Sequence, residues 1–321
     1  MTSSLAIIGG GAWGSAIAAA TSANGHITHI LTRREYLPAA LMQERSPARD
    51  NLEISAPHLA TTNPEAALKN VDAVIVVVPV SATASTLEQI KPFLPEDIPV
   101  AFAAKGFEPS SDQLIPDFAA SYISNPIVMF SGPSFADEVA MGKPAALVAA
   151  SHDADAAAKI ASFFEGSTLR VYVSDDPIGV AVGGAVKNVI AIASGIITGL
   201  DLGDNARAAL LTRGLAEATR LAIAMGGRNE TLFGLAGLGD MTLTCSGPHS
   251  RNFAFGLALG EGNLPSGKLA EGSHSCSVIA RRAQREEVEM PITAAVDRVV
   301  SGQADIRAEI AALMERPVDT E

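Results

Sequence analysis

A chain of 321 residues, 48% hydrophobic and 18% charged, is long enough for two packed domains and too apolar for global disorder. Its formal net charge of −12 repels nucleic acid and anionic membrane surfaces, so a phosphate-bearing ligand needs a local cationic seat. The two cysteines, Cys245 and Cys276, are far apart without metal-ligand spacing, which argues against a disulfide framework or a zinc site and fits a reducing cytoplasm.

The chain opens MTSSLAIIGGG, running straight into a strand with no basic start or long apolar core of a signal peptide. Short aliphatic runs then recur at Leu5–Ile8, Ile27–Thr32, Ala73–Val78, Val100–Ala103, Ile127–Phe130, Ala145–Ala150 and Leu169–Val173. Several are uninterrupted, as in parallel strands covered on both faces. The stretches between them, such as Ser15–Ala23 and Ala82–Ile90, favour helix, and this alternation predicts a Rossmann-type doubly wound α/β sheet over residues 1–177. Beyond Pro177 the strand-like runs stop. Helix-forming stretches follow at Gly179–Gly199, Asn205–Met225, Arg251–Leu259, Ser277–Glu286 and Ile292–Ser301, predicting an all-helical domain over 178–321.

The first strand ends in Gly9-Gly10-Gly11-Ala12-Trp13-Gly14, a GxGxxG with Gly9, Gly11 and Gly14 in the required places. Such glycines allow a tight turn and close approach of a pyrophosphate to the backbone, with the amides of the next helix facing the phosphates. Strand before and helix after raise this above a bare pattern match. About twenty residues on, where an acid would bind the ribose hydroxyls of NAD, the chain has Arg33-Arg34-Glu35. Two guanidinium forks suit a 2′-phosphate and favour NADPH, with NADH as the alternative; a solvated surface pair is the plainer reading. Lys105-Gly106 follows the fourth of these runs, and Ser131-Gly132-Pro133-Ser134-Phe135-Ala136 follows the fifth, both at the carboxyl edge where ligands bind in such sheets.

In the run Ile178–Leu200, Lys187 is the sole charged residue. Burial disfavours an unpartnered ammonium, so this lysine needs a carboxylate or an anionic ligand, unless it reaches solvent at a domain surface. The run has the length of a membrane span, but a central lysine and repeated glycines favour a buried helix instead. Asp240, in the apolar segment Phe233–Leu243, is either a partner for that lysine or a helix N-cap. Ser250-Arg251-Asn252 reads as an N-cap followed by amides and a permanent charge, a combination suited to phosphate. The histidines have no metal-ligand spacing and no nucleophile elbow is present, so no metal is expected.

The segments GGGAWGSAIA, AAKGFE, SGPSFADEVAMGKP, GGAVKNVIAIASGI, NARAALLTRGLAE, GLAGLGDMTLTC, SRNFAFG and AEG follow one another along nearly the whole chain. Together they resemble the bacterial NAD(P)-dependent glycerol-3-phosphate dehydrogenases. The resemblance implies an oxidoreductase that interconverts dihydroxyacetone phosphate and sn-glycerol 3-phosphate for phospholipid synthesis. It implies Lys187 as the acid/base group, and substrate contacts at Lys105, Gly132, Ser134, Asp240, Ser250, Arg251 and Asn252. Cofactor contacts would fall on Ala12, Trp13, Arg33, Lys105, Ala136, Arg251, Leu269 and Glu271. The chain departs from the family pattern at Ala12, where a hydroxyl is frequent, at Thr198, where an aspartate is usual, and over Gly272–Ser277. A hydroxyacid or ketoacid reductase of similar build, or a non-catalytic dinucleotide sensor, are the alternative functions. The long aliphatic runs of the helical half leave room for a homodimer face.

Overall fold

The computed structural model describes residues 2–43, 54–263 and 271–316. Two compact units emerge, one of Met1–Glu108 with Gln113–Ala181, the other of Pro109–Asp112 with Val182–Glu321.

The first unit is built on eight strands: β1 Ser4–Ile8, β2 Ile27–Leu31, β3 Leu59–Thr61, β4 Ala73–Val76, β5 Val100–Phe102, β6 Ile127–Ser131, β7 Ala145–Ala150 and β8 Leu169–Ser174. They lie in the order β3-β2-β1-β4-β5-β6-β7-β8. Seven fall on the aliphatic runs identified above. The eighth, β3, is only LAT, half-buried and paired with β2 alone, so it leaves no hydrophobic run to read. All neighbouring pairs are parallel except β6 with β7. The reason lies in the connection: the helix Ala136–Ala140 advances about 7.5 Å, too little to carry the chain back along a strand of about 17 Å. The chain therefore re-enters the sheet at the carboxyl end of β6 and runs back.

Aliphatic side chains from adjacent strands, among them Ile7, Ile75, Ala101 and Val128, pack with Ala16 and Ile17 of the helix Ala12–Ala23. With so few aromatic residues, this core depends on close alanine contacts between helix and sheet.

The second unit is helical among the described residues. Its central element is the lysine helix, Pro177–Gly199, which begins in the first unit and whose first turn is capped where the Gly179 amide donates to Asp176. This helix is apolar enough to span a membrane by composition, but 94% of its most apolar window is buried inside the protein. Its apolar surface is consumed by packing. A further helix, Ile306–Met314, has no counterpart in the runs read from sequence, because none of its residues is fully buried and its apolar stripe is weak.

The lysine helix meets the helix Arg251–Gly260 backbone against backbone. A Cβ on Gly195 would lie 2.1 Å from the Phe253 carbonyl oxygen, and one on Gly256 would lie 2.0 Å from that of Ile192. Glycine at both positions is what permits this approach, and the approach sets the distance between Lys187 and the start of the second helix.

Glu217, in the helix Gly203–Ala224, is almost fully buried and caps a different helix, Pro291–Val300. Its carboxylate accepts from the Ile292 amide at 2.6 Å, the Thr293 amide at 3.1 Å and the Thr293 hydroxyl at 2.9 Å. Burial pushes the Glu217 carboxyl above its ordinary range, outweighing the donors that pull it down. Glu217→Ala leaves three donors without an acceptor and is expected to cost about 3 kcal/mol, read from urea denaturation. The proton linkage has a definite sign, because folding raises this carboxyl's affinity for its proton. The contribution is complete below the unfolded-state value and is lost as pH rises through the folded one. Relative to Glu217→Gln, the native chain should lose stability across that interval, and a pH-independent difference would contradict the assignment.

Candidate active site

At the end of β1 the glycine turn enters the helix Ala12–Ala23. Gly9 has φ 124°, and a Cβ there would sit 2.4 Å from the Val77 carbonyl oxygen; a Cβ on Gly14 would sit 1.8 Å from that of Gly9. Gly11, by contrast, is exposed with nothing within 4 Å of where its Cβ would stand. The helix has no side-chain cap, so its first amides are left for another acceptor. A sealed turn, open space over Gly11 and uncapped amides fit a dinucleotide pyrophosphate. Ala12 and Trp13 are half-buried at the start of the helix.

Arg33 and Arg34 are exposed just beyond β2, whose Leu31 carbonyl accepts from the Gly9 amide at 2.8 Å. Arg34 is held at both ends, its amide donating to Thr32 Oγ1 at 3.3 Å and its guanidinium to the Tyr36 hydroxyl at 3.1 Å. At the carboxyl edge, Lys105 Nζ donates to the Gly132 carbonyl at 3.2 Å and Ser134 Oγ donates to the same oxygen at 3.2 Å. Ala136 opens the short helix that follows. Lys105, Gly132 and Ser134 therefore meet within the first unit.

In the second unit Lys187 and Asp240 meet. Lys187 Nζ lies 2.5 Å from Asp240 Oδ1, with the residues only 7% and 1% exposed. The ammonium also donates to Thr244 Oγ1 at 3.0 Å, while the Thr244 hydroxyl donates to the Asp240 carbonyl oxygen at 2.6 Å. Asp240 is thus the lysine's partner; the N-cap of its helix, Asp240–Thr244, is Gly239. A π-helical turn at Leu235–Gly239 precedes it, packed so tightly that a Cβ on Gly183 would lie 2.8 Å from the Ala236 carbonyl oxygen. Such turns re-aim the residue that follows, and are frequent at functional sites. Cys245, next in the chain, is pushed up to about 12 by burial, so it stays a protonated thiol and does not compete as a base.

A second chain of polar contacts runs beside this pair. The Gly272 amide donates to Asn252 Oδ1 at 2.9 Å, and Asn252 Nδ2 donates to Asn188 Oδ1 at 2.9 Å. A backbone N–H heads the chain, so both amide orientations follow from it. Asn188 is left presenting N–H groups, which suits an anion. Ser250 is the N-cap of the helix Arg251–Gly260, accepting from the Phe253 amide at 3.3 Å, and Arg251 is exposed at the first position.

Thr244 and Asn188 are the two residues that motif reading leaves out. Thr244 stands four residues after Asp240, hence on the same helical face, and that spacing was the available signal. Leu269 lies outside the described residues. Glu271 opens the helix Glu271–Arg285, and its side chain also lies outside them.

Two family models match the chain: the NAD-dependent glycerol-3-phosphate dehydrogenase N-terminus over residues 4–157, and the corresponding C-terminus over residues 176–311. A glycerol-3-phosphate dehydrogenase (NAD(P)+) of Mesorhizobium japonicum is 43% identical over 98% of this chain and 93% of its own length. The Halorhodospira halophila enzyme of the same name is 42% identical over 98% of each. The crystal structure of glycerol-3-phosphate dehydrogenase from Coxiella burnetii superposes with a TM-score of 0.92 at 36% identity, covering 98% of this chain and 99% of that one. A ketopantoate reductase from Ralstonia eutropha shares the fold alone, with a TM-score of 0.62 at 18% identity over 96% of this chain and 99% of its own.

The buried pair can be tested for what it does. Asp240→Ala strands an ammonium in an apolar interior and should cost about 3–5 kcal/mol of stability. Replacing both partners, as Lys187→Met with Asp240→Leu, should recover most of that loss in urea denaturation while abolishing activity. A double variant no more stable than Asp240→Ala would mean that the pair is retained for folding.

Proposed function

The chain belongs to the NAD-dependent glycerol-3-phosphate dehydrogenase family, and on that premise we propose a role for each group of residues in its reaction. That reaction is reversible hydride transfer between NAD(P)H and dihydroxyacetone phosphate, giving sn-glycerol 3-phosphate, the backbone for phospholipid synthesis. The observation that carries the assignment of roles is Lys187, buried at 2.5 Å from Asp240.

The glycine turn and the first amides of the helix Ala12–Ala23 hold the pyrophosphate, with Ala12, Trp13 and Ala136 lining the same unit. Arg33 and Arg34 take the 2′-phosphate, which favours NADPH, with NADH as the alternative. When bound, the dihydronicotinamide supplies the hydride. Lys105, beside Gly132 and Ser134, serves both cofactor and substrate. Leu269 and Glu271 complete the cofactor set.

The substrate phosphate is received by the amides that begin the helix Arg251–Gly260, by the Arg251 guanidinium and by the N–H groups oriented through Asn252 and Asn188. Ser250 holds that helix start in place. As the carbonyl carbon is reduced, Lys187 gives a proton to the developing alkoxide; in the oxidative direction it takes that proton back. Asp240 compensates the ammonium charge and, with Thr244, fixes its direction. Placing donor and acceptor groups in this way can supply about 7–11 kcal/mol of barrier lowering in favourable cases.

The proposal extends to a cytoplasmic location, supported by two buried thiols with no disulfide between them, and to a homodimer formed through the helical unit.

Lys187→Ala should lower kcat about 10³-fold while NADPH binding, followed by fluorescence titration, stays within twofold or so of native. Near-normal reduction of dihydroxyacetone phosphate would remove the acid/base assignment. Arg33→Ala combined with Arg34→Ala should reduce the NADPH-over-NADH preference in kcat/KM by about tenfold. An unchanged ratio would mean that these arginines do not meet the 2′-phosphate.

A further inference from the structure

The connection from β5 to the helix Ile115–Ala120 carries Lys105 and then folds on itself. Phe107 pairs with Leu114 in an isolated antiparallel bridge, and the Glu108 amide donates to the Gln113 carbonyl at 2.8 Å. The tip of this hairpin, Pro109–Asp112, is part of the second compact unit, although the residues before and after it in sequence are part of the first.

Asp112 is 3% exposed and has φ 53°, a left-handed conformation that aspartate and asparagine tolerate better than other side chains. The helix Glu271–Arg285 grips it with three arginines. Arg281 donates to Asp112 Oδ1 at 2.7 Å and to the Pro109 carbonyl at 3.3 Å. Arg285 lies 3.2 Å from Oδ2, and Arg282 donates to the Asp112 carbonyl oxygen at 3.2 Å. Loop tips ordinarily keep their polar groups in water; here Pro109 and Ser110 are exposed, but the Asp112 side chain is buried against a fan of guanidinium groups. The same helix is tied at its other end by the Gly272 amide to Asn252.

We infer that Asp112 is a positioning residue for Lys105: the arginine cluster fixes the tip of the hairpin whose root carries the Lys105 ammonium. The inference rests on the reading of Lys105 as a ligand-binding group. Every residue left loose between root and tip adds backbone freedom that must be lost again when Lys105 engages a ligand. The Asp112 contacts remove that freedom in advance, so their worth is felt at Lys105.

The test is a double-mutant cycle on kcat/KM for dihydroxyacetone phosphate at saturating NADPH, using Asp112→Asn, Lys105→Ala and the two combined. Asparagine keeps the shape and the tolerance of positive φ; it removes the charge and replaces one of the two acceptor oxygens with a donor. Asp112→Asn should lower kcat/KM about tenfold in the native chain and less than about twofold when Lys105 is already absent. Equal losses in both backgrounds would overturn the inference and leave Asp112 a structural residue. An undiminished kcat/KM in Lys105→Ala alone would sink the reading of Lys105 itself, and a loss in Asp112→Asn would then overturn the inference as well. A second variant, Arg281→Ala with Arg285→Ala, changes net charge in the opposite direction, so a loss of the same size excludes long-range attraction of the phosphate as the cause. That variant also serves if Asp112→Asn does not fold; native-like kcat/KM from it would overturn the inference.

Discussion

Bringing an ammonium and a carboxylate out of water costs several kcal/mol per ion, and only close contact with further hydrogen bonds offsets it. The Lys187–Asp240 pair is therefore an exacting constraint on its surroundings. Thr244 supplies the additional hydrogen bond, and it does so with its own proton committed to the Asp240 carbonyl, so that its lone pair faces the lysine. The π turn at Leu235–Gly239 advances the chain so that Asp240 meets Lys187 rather than capping its own helix. Gly183, one helical turn before Lys187, lets that turn approach. None of these features makes sense as a contribution to stability alone, because an apolar pair of similar volume would pack there more cheaply.

The same helix organises the residues proposed to receive the phosphate. Lys187 and Asn188 are adjacent on the lysine helix, and the glycines at 195 and 256 bring the helix Arg251–Gly260 against it backbone to backbone. Asn252 is thereby brought within 2.9 Å of Asn188. Ordering two flexible amides around a ligand would otherwise cost side-chain entropy on each binding event. Here a backbone amide, that of Gly272, fixes both orientations before any ligand arrives.

Much of this was legible in the residues themselves, and the remainder was not for identifiable reasons. Uninterrupted runs such as AVIV betray strands buried on both faces, whereas β3 has too little apolar surface to leave a trace. The antiparallel return of β7 depends on the length of a five-residue helix, which apolar periodicity does not report. A lone lysine in an apolar helix announces that it needs a partner, but composition could not decide between pairing and capping for Asp240. That choice depends on a π turn, and GLAGLG gives no local sign of one. Thr244 was within reach, being one turn from Asp240 on the same face. The arginine grip on Asp112 was beyond reach, since it joins residues about 170 positions apart, as the Arg282 to Asp112 contact shows.

The choice between lysine and arginine at each cationic position follows from what the position must do. An acid/base group has to release its proton during turnover, and guanidinium does not do so under any ordinary condition. The role proposed for position 187 therefore calls for lysine, a compact charge that a carboxylate can hold. Arg33, Arg34 and Arg251, in the roles proposed for them, meet no such demand; they need permanent charge and a planar fork matched to phosphate oxygens. With a net charge of −12, the chain as a whole repels the phosphorylated ligands that it must admit. In the proposed roles, exposed arginines act where ligands arrive, and the cation proposed to change its charge is kept away from water, beside a carboxylate. Exchanging the two kinds of residue would leave the formal charge unchanged and remove the chemistry proposed for Lys187, while weakening the forked contacts proposed for Arg33, Arg34 and Arg251.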